Sequence, residues 1–230
     1  MEASFLERLP LVFAQFIPFM IAIVFHEAAH AFVASRHGDF TARELGRETL
    51  NPFPHIDPIG TVLFPLINML TGVPILFGWA KPVPVNYNRL KPYRRGLFLV
   101  SMAGIAMNLL LAFLGGALLI GLVATPAFSL TKPFVEMAKA LIGINLSLAF
   151  FNLIPIPPLD GSKAIEAFLS YNQVKKIESF QTYGFWILLA LLFSGALNYI
   201  VGVPVMVVSE LILRFWLLLF GQVGIGISIL

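Results

Sequence analysis

The stretch Phe19-Met20-Ile21-Ala22-Ile23-Val24-Phe25-His26-Glu27-Ala28-Ala29-His30-Ala31-Phe32-Val33 decides how this chain must be read. Three ionisable side chains, His26, Glu27 and His30, interrupt an otherwise apolar run. A helix needs about 20 apolar residues to cross a bilayer, and the pattern predicts a transmembrane helix over residues 10–37. Residues four apart share one helix face, so His26 and His30 can reach one metal ion together. Glu27 lies about 100° round the helix from His26. There it can take a proton from water beside the ion, as the base of a zinc hydrolase does. At this chain's content of His and Glu, roughly 0.003 chance occurrences of the spacing are expected. Ionisable groups inside an apolar span are costly and mark function.

The rest of the chain has the same apolar character. Of 230 residues, 58% are hydrophobic and 12% charged, against about 45–50% and 25% in an ordinary soluble domain. A soluble globule, a disordered tail and a fibrous repeat are thereby excluded. The net charge of +3 is small and scattered, which implies no nucleic-acid partner. Neither a Walker loop nor a dinucleotide fingerprint is present, so no nucleotide is expected. The chain has no Cys, so a bound metal must rest on His, Asp, Glu or carbonyl groups.

Uncharged runs at 59–80, 96–131, 140–159, 179–209 and 215–230 follow the first one. They predict an all-α polytopic membrane protein with five to six hydrophobic segments. Helices are expected at 97–122 and 135–154, with two further spans within 183–230. A short interfacial helix is expected at 42–49, where Thr41 and Glu44 have capping-box spacing. Gly60, Pro65, Asn68, Gly72 and Pro74 break the segment 59–77 so densely that it reads as re-entrant. The first run starts with Glu2 and Glu7 and lacks a basic leader, so it reads as a mature span and not a cleaved signal. The expected organisation is one membrane-embedded unit over 1–230, with a catalytic core over about 10–170.

A catalytic zinc needs a third protein ligand. Val33 and Arg36 stand where the extended soluble zincin pattern requires Gly and His, and His37 is one residue out of register. Glu44 and Glu48 lie beyond the break at Gly38. Asp160 is the better candidate, as the only acid between Lys139 and Lys163 and directly after Pro157-Pro158-Leu159. Prolines hold the backbone extended and fix where a short carboxylate points. The rival reading of Asp160-Gly161 is an ordinary turn.

Asn152-Leu153-Ile154-Pro155-Ile156-Pro157-Pro158-Leu159-Asp160-Gly161, taken with His26-Glu27-Ala28-Ala29-His30, closely resembles the site-2 protease family of intramembrane zinc metalloproteases. Leu50-Asn51-Pro52 with His55-Ile56-Asp57-Pro58-Ile59-Gly60-Thr61, and Phe77 to Asn86, resemble its compact members, which lack PDZ or CBS domains. The resemblance implies one Zn2+ per chain held by His26, His30 and Asp160, with Glu27 as general base. It implies substrate or transition-state contacts for Asn152 and Asn108. Ile105 replaces a family proline in Ala103-Gly104-Ile105-Ala106-Met107-Asn108, and Ser162 replaces a frequent second glycine. His55 and Asp57 read as loop-capping residues or as supports for a site, Asn145 as an interhelical hydrogen-bonding residue, and Glu210 with Arg214 as an i,i+4 ion pair.

Charge fixes an expected topology. With 59–77 re-entrant, one face collects Arg36, Arg43, Arg47, Lys81, Arg89, Lys91, Arg94, Arg95, Lys163, Lys175 and Lys176. The other face receives Arg8, Lys132 and Lys139. A full span there would even the division, and positive-inside favours the larger bias. His26 lies about 24 Å along its helix from Pro10, so parallel helices bring it and Asp160 toward one face. The expectation is an integral protein of a prokaryotic cell membrane, N-terminus outside, active site toward the cytoplasm. It would hydrolyse transmembrane protein substrates. The alternative is a zinc transporter or a non-proteolytic zinc-binding protein, which has no need of Glu27 between the ligands. The sequence leaves oligomeric state open.

Overall fold

The computed structural model describes residues 5–71, 78–124 and 128–222. Among these every regular element is helical: α1 (Phe5–Arg36), α2 (Thr41–Glu44), α3 (Phe64–Thr71), α4 (Tyr93–Val123), α5 (Phe128–Asn152), α6 (Asp160–Glu166), α7 (Tyr171–Phe193) and α8 (Val203–Gln222). Four stretches are long and apolar enough to cross a membrane: Val12–Arg36, Tyr93–Val123, Pro133–Asn152 and Asn198–Phe220. Pro58–Ile67 and Gln181–Phe193 are shorter apolar helices. At 1.5 Å per residue neither shorter piece covers a hydrocarbon core of about 30 Å. The all-α membrane class expected from composition is the class observed.

Helices α1, α4 and α5 form the centre. Small residues let them approach closely: a Cβ on Gly115 would stand 3.1 Å from the Ile142 side chain. Ala112, Leu119, Val135, Ala138, Ile142, Leu146 and Ile212 form the buried core between α4, α5 and α8. The buried Asn145 accepts a hydrogen bond from Asn108 Nδ2 at 2.7 Å, the interhelical bond its position suggested. Helix α4 runs antiparallel to α1, since Lys91 N–H donates to His37 O at 2.7 Å at one end and Asn108 donates to Ala22 O deeper in. Helix α5 returns antiparallel to α4 and therefore parallel to α1.

The end of α1 and the start of α4 thus lie together, and the intervening chain leaves and rejoins the same place. Trp79 N–H donates to Gly60 O at 3.1 Å, the Thr61 hydroxyl donates to Trp79 O at 2.7 Å, and Lys81 N–H donates to His55 O at 2.9 Å. Asp57 starts this excursion by accepting from Ile59 and Gly60 N–H, capping a π-helical turn over Pro58–Leu63 that leads into α3. Residues 72–77, part of the expected re-entrant element, lie outside the described residues.

One expectation is corrected. The interfacial helix expected at 42–49 covers only Thr41–Glu44. Thr41 and Glu44 do not cap it. The buried Asp39 carboxylate instead accepts from Thr41 N–H and its hydroxyl, and Gly46 ends the turn at φ +66°.

Candidate metal centre

His26 and His30 leave one face of α1, and Asp160 begins α6 after the proline-rich turn that closes α5. Their ligand atoms meet. His26 Nε2 lies 3.1 Å and His30 Nε2 3.2 Å from Asp160 Oδ2, and the two Nε2 atoms are 3.0 Å apart. Among the described residues this is the one group of three or more such side chains placed to share an ion.

The tautomers can be assigned from the other ring nitrogens. His30 Nδ1 stands 2.7 Å from Val100 O, which only accepts, so it donates. His26 Nδ1 stands 2.6 Å from Asn108 Oδ1. Asn108 Nδ2 already donates to Ala22 O and Asn145 Oδ1, so its oxygen is the atom facing His26 and accepts. Both Nε2 atoms are then bare. The buried Asp160 Oδ2 accepts no well-directed hydrogen bond. With both rings neutral, three lone-pair atoms converge on one point, an arrangement that a cation among them would satisfy. Ligand atoms on tetrahedral zinc lie ~3.3 Å apart for bonds of 2.0–2.1 Å. The site fits that ion.

Gly104 makes room for it. A Cβ there would stand 2.4 Å from His26 Cε1 and 2.5 Å from His30 Nε2, so both imidazoles lie directly over this glycine of α4.

Glu27 leaves α1 beside the ligands, and its Oε2 accepts from Val83 N–H at 2.6 Å. Val83 belongs to an extended segment pinned from several sides. Arg47 donates to Lys81 O at 2.6 Å and to Pro82 O at 2.7 Å. Asp39 accepts from Asn86 N–H at 2.7 Å. The triad and Glu27 open into a cavity of about 660 Å³ whose other walls include Trp79, Leu192, Leu197 and Val201. Tyr87 also lines it. Burial, together with the carboxylates of Asp160, Glu166 and Glu27, pushes its phenol up to about 12, so it stays neutral.

A model of peptidase family M50 matches residues 119–195, a stretch that contains Asn152 and Asp160. "Putative zinc metalloprotease YwhC" of Bacillus subtilis is 39% identical over 189 residues, covering 80% of this chain and 82% of that protein. The chain belongs to peptidase family M50. "Putative zinc metalloprotease Rip2" of Mycolicibacterium smegmatis is 30% identical over 187 residues, covering 78% of this chain and 66% of the relative. No solved structure matches. As an M50 family member with four helices of spanning length, the chain is an integral membrane protein of the zinc metalloprotease class.

Within this M50 frame the expected residues divide. His26, His30, Asp160, Glu27 and Asn152 all line the cavity. Asn152 Nδ2 donates to Leu148 O in its own helix at 3.1 Å. Asn108, expected at the substrate, lies elsewhere: it is fully buried and its amide is spent on His26, Ala22 and Asn145. His55 is also fully buried and donates through Nε2 to Thr49 O, while Asp57 caps a helical turn. Both belong to the loop that holds Trp79 and Lys81, apart from the triad. Sequence reading missed Arg47 and the Val83 N–H. A backbone donor leaves no signature in side-chain identities, and Arg47 counted there only as a topological charge.

Proposed function

We propose that this M50 family member is an intramembrane zinc endopeptidase that hydrolyses peptide bonds of transmembrane proteins within or near the bilayer. The observation that carries the proposal is the convergence of His26 Nε2, His30 Nε2 and Asp160 Oδ2 beside Glu27, in a cavity walled by apolar side chains. His26, His30 and Asp160 would hold the zinc, which when bound would supply Lewis acidity and a water nucleophile near neutral pH. Glu27 takes a proton from the attacking water and returns it to the leaving amine. The Val83 N–H bond holds the Glu27 carboxylate in one orientation for both transfers. Asn108 and Val100 hold the ligand rings in the tautomer that leaves Nε2 free. Asn152 offers its amide to the substrate backbone at the cavity wall. A transmembrane substrate must unwind locally, because a helix keeps its carbonyls in internal hydrogen bonds.

The catalytic unit is a single membrane domain over 1–230, with the core over 10–170. The charge distribution and the adjacency of His37 and Lys91 support a re-entrant 59–77 with the active site toward the cytoplasm of a prokaryotic cell. A zinc transporter would need a site open to both faces in turn, and Glu27 beside the ligands favours hydrolysis instead. The test is incubation of the purified chain in lipid with a model transmembrane peptide. Two fragments whose masses sum to the substrate plus one water are expected, with cleavage lost to a chelator and restored by zinc. Zinc binding with no cleavage of any transmembrane or soluble peptide would exclude the protease reading.

A further inference from the structure

A second hollow continues the metal cavity. It encloses about 480 Å³ and shares two wall residues, Val85 and Tyr87, with the cavity that holds the triad. The same elements pass from one to the other. The segment 82–88 lines the metal cavity with Pro82 and Val83, and the second hollow with Asn86 and Asn88. Helix α6 gives Asp160 to the first and Lys163 and Glu166 to the second. Tyr93 and Leu97, from the first turns of α4, place the second hollow at the membrane face where α1 ends. Its chemistry differs from that of the apolar cavity beside it. Lys163 Nζ lies 2.9 Å from both carboxylate oxygens of Glu166 and 5.9 Å from the centroid of the Tyr87 ring. The Glu166 side chain is 6% exposed and that of Lys163 29%. Burying an ion pair adds little stability, because desolvation offsets the attraction. What the pair does here is hold an ammonium at the wall of the hollow with its carboxylate out of reach behind it. A group entering the hollow meets the cation first. An ammonium has three protons, so at least one is left for a ligand.

We propose that this hollow is a specificity subsite for an acidic side chain of the substrate, whose carboxylate accepts a hydrogen bond from Lys163. The acidic residue lies on the flank of the scissile bond nearer the membrane face where α1 ends. Asp160 and Lys163 are one helical turn apart, about 4.5 Å of rise, and an extended strand advances about 3.3 Å per residue. The acidic residue therefore falls roughly two to four positions from the scissile bond. The apolar cavity takes the part of the substrate drawn from the bilayer, and the hollow takes its polar flank. Cytoplasmic flanks of transmembrane segments are enriched in Lys and Arg. An acidic residue there is uncommon, so Lys163 selects among transmembrane segments that the apolar cavity alone would accept alike. The subsite rests on the reading of the metal cavity as the place of peptide hydrolysis.

The test uses the full chain in phosphatidylcholine nanodiscs and three model transmembrane peptides that differ only in carrying Asp, Ala or Lys at that flank. Binding is measured on Glu27→Gln, which leaves the peptides intact, and kcat and KM on the active chain. The Asp peptide should bind about tenfold more tightly than the Ala peptide, and the Lys peptide more weakly than either. The difference should appear in KM more than in kcat. Lys163→Arg should keep the preference, and Lys163→Met should bring the ratio of Asp to Ala peptide to about one, with bound zinc measured on each to show that the fold is kept. A diazirine next to the Asp should cross-link to residues within 84–97 or 160–174, a readout that needs no substitution at Lys163. Equal binding of the three peptides, a preference that survives Lys163→Met, or cross-links confined to other residues would each overturn the proposal. A preference in binding that depends on Lys163, with no peptide cleaved by the active chain, would sink the protease reading and leave the subsite standing.

Discussion

Asn108 Oδ1 lies 2.6 Å from Nδ1 of His26, joining α4 to the metal-facing ring of α1. The same amide reaches Ala22 on α1 and Asn145 on α5, so one buried side chain ties three helices together and sets the tautomer of a ligand. Asn108→Ala should lower zinc affinity or activity by about 10–100-fold, the usual cost of removing a partner that orients a ligand. Competition with a chelator of known affinity measures it. Unchanged zinc affinity and turnover would show that the ring needs no such partner.

Gly104→Ala adds one methyl under both imidazoles. Its Cβ would need the space that His26 Cε1 and His30 Nε2 occupy, and Asn108 and Val100 hold the rings there. Overpacking of this kind costs about 1–3 kcal/mol. Here the displaced atoms are the ligands, so zinc should be lost before the fold. Metal analysis with helical content by circular dichroism reads this out. A variant with one full zinc per chain would contradict the close packing described.

Arg47 acts at a distance from the metal. Its fork on Lys81 O and Pro82 O fixes the segment whose Val83 N–H holds Glu27. Hydrogen bonds to charged groups contribute about 1.5–3 kcal/mol. Arg47→Ala should therefore cut kcat roughly tenfold or more at constant zinc content, and Arg47→Lys, which offers a point charge without the fork, should fall between. Equal kcat in all three would remove Arg47 from any positioning role.

The ends of the excursion between α1 and α4 should be reached from one side of the membrane. Leu45 and Asn88 flank it, Asn172 starts α7, and Ala124 closes α4 at the opposite end. Single cysteines at Leu45, Asn88 and Asn172 should react with an impermeant thiol reagent only from the cytoplasm, and one at Ala124 only from outside. Leu45 and Asn88 reacting from opposite faces would make 59–77 a full span.

Much of this arrangement was legible in the chain itself. The spacing of His26 and His30 needs only a helix to bring both onto one face, and Pro157-Pro158 before Asp160 marks a constrained carboxylate. What remained hidden depends on distant packing. Gly104 reads as one more small residue in α4 until the helices are assembled and the imidazoles lie over it. Asn108 reads as a polar group near the site, but only the fold shows its capacity spent on His26, Ala22 and Asn145. The capping-box spacing of Thr41 and Glu44 predicts a longer helix than the one that forms, because the Asp39 carboxylate takes the Thr41 N–H and hydroxyl instead.

Glu27 is the residue on which a hydrolytic reading stands apart from mere zinc binding. The direct measurement is zinc content and cleavage of a transmembrane peptide on the same preparations of wild type and Glu27→Gln in lipid. The amide keeps the size of the side chain and cannot accept the proton of water. About one zinc per chain is expected in both proteins, with cleavage by Glu27→Gln lower by at least ~10²-fold. Cleavage by Glu27→Gln at the wild-type rate, with zinc still bound, would contradict the mechanism.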